Sequence, residues 1–146
     1  MRTVLTNVML GLLTLMLSVG SVLAAEPEIT DARLSLLPGD LPGAGYFTVT
    51  NTSDEPMVLV GAESDAFHMT EMHVSKNEEG VASMHAVDEV EVAPGEDFSF
   101  APQGYHLMFM HRTASLAEGD EVEVLLHFED QQPLPVTFTV VAPGSQ

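Results

Sequence analysis

The 146-residue chain contains no cysteine and no tryptophan, and only four of its residues are lysine or arginine. Each shortage removes classes of function. Without thiolate there is no disulfide, zinc finger, iron–sulfur cluster, thioredoxin-type couple or blue-copper electron-transfer centre. Nor is there a thiol to carry the lipid of a lipoprotein. After Arg2 the basic residues are Arg33, Lys76 and Arg112, against 22 acidic residues that all follow residue 25. A formal charge of −18 argues against nucleic acid as a partner and for a surface that stays soluble and attracts cations. The serine-hydrolase pattern Gly-x-Ser-x-Gly and the zinc-protease pattern His-Glu-x-x-His are both missing, so no catalytic residue is expected and the chain reads as a non-enzyme.

The N-terminus has the organisation of an export signal: Arg2, an almost unbroken apolar run from Val8 to Leu17, and small residues at Val22-Leu23-Ala24-Ala25. The expectation is a signal peptide over residues 1–25 and one domain over 26–146. The mature protein is then periplasmic, with no stable membrane insertion after cleavage.

Beyond residue 25, apolar residues alternate with period two between turn-forming clusters such as Pro38-Gly39-Asp40, Pro94-Gly95-Glu96-Asp97 and Pro102-Gln103-Gly104. This predicts an all-β fold of about nine short strands, arranged as a sandwich or barrel. The strands are Ile29 to Leu36, Gly45 to Thr50, Met57 to Gly61, Phe67 to Ser75, Val81 to Val87, Asp97 to Phe100, Tyr105 to His111, Glu121 to Phe128 and Val136 to Val141. Alternation assigns Phe47, Val49, Phe98, Phe100, Leu107, Phe109, Val122, Val124, Leu126, Phe128, Val136, Phe138 and Val140 to the core.

Nine methionines and six histidines are many for this length, and five of the histidines fall between His68 and His111 with Met69, Met72, Met84, Met108 and Met110. Thioether and imidazole are the soft and intermediate ligands that remain without cysteine. Together they suit Cu(I) better than zinc, calcium or magnesium. A four-residue loop, Asn77-Glu78-Glu79-Gly80, would pair Lys76 with Val81 and set His73 opposite Met84. On the strand from Tyr105 to His111, His106, Met108 and Met110 point to one side and Tyr105, Leu107, Phe109 and His111 to the other.

His73 is followed after ten residues by Met84, and after twenty-one more by His106-Leu107-Met108, within Gly104-Tyr105-His106-Leu107-Met108. In this spacing and wording the chain resembles the periplasmic copper chaperones of the PCu(A)C family. The resemblance implies a cupredoxin-like Greek-key β-sandwich holding Cu(I) between His73, Met84, His106 and Met108. It also implies delivery of copper to an accepting protein, either a cytochrome oxidase subunit with its copper A centre or a Sco-type assembly protein. His68, Met69, His85 and His111 are extra to the motif and raise the question of a second ion, while His127, on a late strand, reads as structural. Two other functions fit the same residues: a copper buffer or resistance protein with no dedicated acceptor, and a metal-free sandwich used for protein interaction.

Overall fold

The computed structural model describes residues 25–145. The expected signal peptide lies outside these but for Ala25. Ten strands follow one another without an intervening helix among the described residues: β1 (Glu28–Ser35), β2 (Gly43–Thr50), β3 (Met57–Glu63), β4 (Phe67–Glu78), β5 (Val81–Ala86), β6 (Val90–Val92), β7 (Asp97–Phe100), β8 (Tyr105–Arg112), β9 (Glu121–Phe128) and β10 (Leu134–Val141). They hydrogen-bond in the order β5-β4-β8-β2-β1-β10-β9-β3-β6, with β7 paired to β2. The pairing of β1 with β10 is parallel and the others are antiparallel. The strand that sequence alternation did not reveal is β6. Three residues are too few to show a period, and its place comes from pairing Val92 with Met57 and Val90 with Leu59.

The sheet curls so that strands far apart in its order share one core. Phe109 on β8 and Phe138 on β10, separated in the sheet by β2 and β1, have ring centroids 6.3 Å apart. Phe47 stacks on Phe100 at 4.5 Å and meets the edge of Phe138 at 5.8 Å. These offset and edge contacts suit the charge distribution of aromatic rings, and each fully buried side chain stabilises the fold by about 1.5–3 kcal/mol. Of the residues assigned to the core by alternation, Val136 and Phe98 are half-buried against it and the rest are buried.

Asn51 is the polar exception inside. It is fully buried at the end of β2, yet every group it offers is used. Its Nδ2 donates to the carbonyls of Glu55 and Val92, and its Oδ1 accepts from the backbone N–H and hydroxyl of Ser53. Such full satisfaction is what makes a buried amide tolerable, and here it ties β2 to β6.

The hairpin between β4 and β5 corrects the expected register. Glu78 pairs with Val81, so the loop is the two residues Glu79-Gly80 rather than four. Both have positive φ, 53° and 81°, as a two-residue type I′ turn requires, and this turn matches the twist of the strands it joins. His73 is therefore opposite Ala86, and Met84 is opposite Ser75. The shift is by two residues, so Met84 keeps the face of His73.

Where β2 meets β8, close packing demands glycine. A Cβ on Gly45 would lie 2.6 Å from the Phe109 ring, whereas one on Gly61 would meet nothing within 4 Å. Gly45→Ala should accordingly cost about 1–3 kcal/mol in urea unfolding, the range for forced overpacking, with Gly61→Ala unchanged or slightly more stable. Equal effects of the two would contradict this account of the β2–β8 contact.

Candidate metal centre

The site is built on three neighbouring strands, β5, β4 and β8, and from Met69 to His73 on β4 and from His106 to Met110 on β8 the residues alternate between two faces. The inner face carries Met72, Leu107 and Phe109, all buried in the core. The outer face is set by the β4–β8 register: His73 pairs with His106, Glu71 with Met108, and Met69 with Met110. Residues paired across antiparallel strands point to the same side, so six chemically active side chains share one surface.

The two histidines are the centre of this arrangement. Their ring centroids lie 5.9 Å apart. Met108 sits two residues beyond His106 on the same strand face, about 7 Å away along the backbone. Met84 lies on the other side of β4, on edge strand β5, opposite Ser75 and so diagonal to His73 at roughly 7–8 Å. The two methionines thus flank the histidine pair on opposite diagonals. His106 is 6% exposed and Met84 is 49% exposed, so the site runs from a buried imidazole to an open thioether.

Hydrogen bonds decide which nitrogens are free. The Nδ1–H of His106 donates to the Gly104 carbonyl at 3.1 Å, which leaves the lone pair on Nε2 and fixes the ring. The Nε2–H of His73 donates to a Glu71 carboxylate oxygen at 2.8 Å. Its Nδ1 is buried and has no hydrogen-bond partner among the described residues. A neutral imidazole has one donor and one acceptor nitrogen, so each ring keeps one lone pair available. Two imidazole lone pairs with two thioethers form a donor set that fits a soft monovalent cation such as Cu(I).

Glu71 is the participant that the sequence did not single out. It is one carboxylate among 22 acidic residues, and nothing in its spacing marks it. The signal is its position two residues before His73, where strand geometry puts it on the same face.

The remaining histidines fall elsewhere. His85 pairs with Val74 and so takes the face opposite His73 and Met84. His68 lines a separate cavity of about 450 Å³ with Glu63, Asp65, Glu121 and Glu123. A second site built from His68, Met69 and His85 together is therefore not assembled. His111 has a positive φ of 56°, which breaks the alternation of β8 and leaves it exposed instead of on the Leu107 and Phe109 face. His127 lies on β9 with Nε2 3.5 Å from Glu63 Oε1.

Burial pushes the His106 imidazole below its ordinary 6.5; the Gly104 carbonyl opposes this in part, and nearby His73 adds to the lowering. The unfolded chain consequently binds a proton at this ring more readily than the folded one. The contribution of neutral His106 is complete above about pH 6.5 and is lost as pH falls toward the lower folded value. In metal-free protein, NMR of the His106 ring should show a midpoint below about 6.5. A midpoint at or above that value would contradict the burial argument.

A family model described as "Putative lipoprotein LpqE-like" matches residues 25–140. The protein named "Putative lipoprotein Lxx21020" from Leifsonia xyli is 31% identical over 98 residues, which is 66% of this chain and 59% of that protein. The chain spans about half to three fifths of the length of the curated relatives it matches. Among solved structures, the fold is that of the "Copper-bound PCuAC domain from PmoF2", with TM-score 0.69 and 23% identity, covering 82% of this chain and 95% of that one. The solution structure of CuI-DR1885 from Deinococcus radiodurans aligns with TM-score 0.64 and 27% identity, over 77% of this chain and 76% of that one. By its family match and its cupredoxin-like all-β fold, the chain belongs to the LpqE-like family, related to the PCu(A)C domains that its sequence resembles.

Proposed function

We propose that the chain is a Cu(I) metallochaperone that holds its cargo between His73, Met84, His106 and Met108 and passes it to a copper-dependent partner outside the cytoplasm. The observation that carries this reading is the cross-strand pair His73–His106, flanked on one sheet face by Met84 and Met108. Copper in the solved neighbours supports it. Neither a reaction nor a catalytic group is needed. The residues bind, orient and release an ion.

Each side chain has a part that follows from its surroundings. His106, held by Gly104, is the fixed ligand. His73 is steered by Glu71. Met84, half exposed on an edge strand, is the ligand an incoming donor can displace first, so the ion can leave one bond at a time. Thioethers favour Cu(I) over Cu(II) and Zn(II), which selects the cargo.

In this reading export places the protein in the periplasm, and the acceptor is the copper A centre of a cytochrome oxidase subunit or a Sco-type assembly protein. Among the described residues no helix is long and apolar enough to cross a membrane. A copper buffer without an acceptor would use the same ligands. Incubating the Cu(I)-loaded protein with a copper-free acceptor separates the two, since only a chaperone transfers copper faster than free chelator exchange.

The mature protein should bind one Cu(I) strongly and Zn(II) more weakly at the same place. Met108→Ala and His106→Ala should each weaken Cu(I) binding more than tenfold in competition with a chelator, a loss above about 1.4 kcal/mol, while His127→Ala stays within about twofold. Comparable losses for His127 and His106, or tighter Zn(II) binding, would remove the assignment.

A further inference from the structure

The outer face of β4 and β8 does not end at the histidine pair. Two same-face steps further along the ladder, past Glu71–Met108, Met69 is directly opposite Met110, and Met108 precedes Met110 by two residues on the same face. Paired Cβ atoms stand about 5 Å apart and same-face neighbours on one strand about 7 Å. Met69 and Met110 therefore share this face with Met108, which is itself one of the proposed Cu(I) ligands. The inner face at this level is already filled by Phe109, while Met69 is 45% exposed and Met108 and Met110 are half-buried.

We propose that Met69, Met108 and Met110 form a second Cu(I) site made of thioethers alone. The proposal rests on the Cu(I) reading of the neighbouring histidine pair. Three soft neutral donors select a soft monovalent cation and discriminate against the hard divalent ions that the acidic surface attracts. Glu71, the carboxylate opposite Met108, is already engaged by His73 and so is not a free competitor. Met108 belongs to both sites, which makes the second weaker than the first and places the two ions next to each other on one ladder. The gradient of exposure gives this patch a use: an ion arriving from solvent meets exposed Met69 before it meets buried His106.

The test is an anaerobic Cu(I) titration of the mature protein against a competing chelator, with NMR of the methionine methyl groups and the histidine rings. Two equivalents should bind, the second at least tenfold more weakly, with the His73 and His106 rings responding to the first and the Met69 and Met110 methyls to the second. The double variant Met69→Leu/Met110→Leu, which keeps volume and apolar character, should retain the first equivalent and lose the second. Two equivalents in that variant, or Met69 and Met110 methyls that stay unmoved through two equivalents, would overturn the second site and leave the histidine site standing. Methyl shifts at Met69 and Met110 without any response of the two rings would do the reverse.

Discussion

The antiparallel pairing of β4 with β8 is the constraint on which the rest depends. It joins two strands that are distant in the chain and sets His73 against His106, with the methionines arranged around them. What holds it in register lies on its other side. Met72, Leu107 and Phe109 are locked in the core, and a slip of one residue would turn them to solvent and carry the histidines inward. The proposed metal-binding face is thus positioned by hydrophobic burial on the reverse of the same strands. No separate scaffold for the ligands is needed.

Two electrostatic scales operate on this surface. The charge of −18 spreads over turns and exposed strand positions and attracts cations without regard to kind. Selection belongs to the short range, where thioether and imidazole replace carboxylate. Glu71 stands at the boundary: it lies among the soft donors, but its hydrogen bond to His73 makes it a positioning group. Under the proposed function, the acidic exterior gathers cations broadly and the soft donor set keeps one kind.

Rigidity and access are also divided along the face. His106 is buried and anchored by Gly104, close to the Tyr105 ring that packs against Phe98 and Phe100. Met84 stands on β5, an edge strand that begins at a two-residue turn and is bonded on one side alone. Under the proposed function, one fixed end and one open end let the site hold an ion and also surrender it. In that proposal the residues nearest the core provide geometry, and those nearest solvent provide the exit.

The all-β character, most strand positions and nearly all of the core were legible in the sequence, because period-two alternation is a local signal that burial enforces residue by residue. Histidine and methionine content pointed to copper, and the family resemblance in motif spacing proposed His73, Met84, His106 and Met108 as its ligands. Tertiary structure decided what depends on partners distant in the chain. It set the pairing of His73 with His106, the role of Glu71, the separation of His85 and His68 from the site, and the adjacency of Met69 to Met110. It also moved the hairpin register by two residues, since loop length depends on whether Glu79 can adopt positive φ beside Gly80. Local sequence determines which way a side chain points along its own strand; which residue it faces is settled by the register between strands, and that register is chosen by the whole core at once.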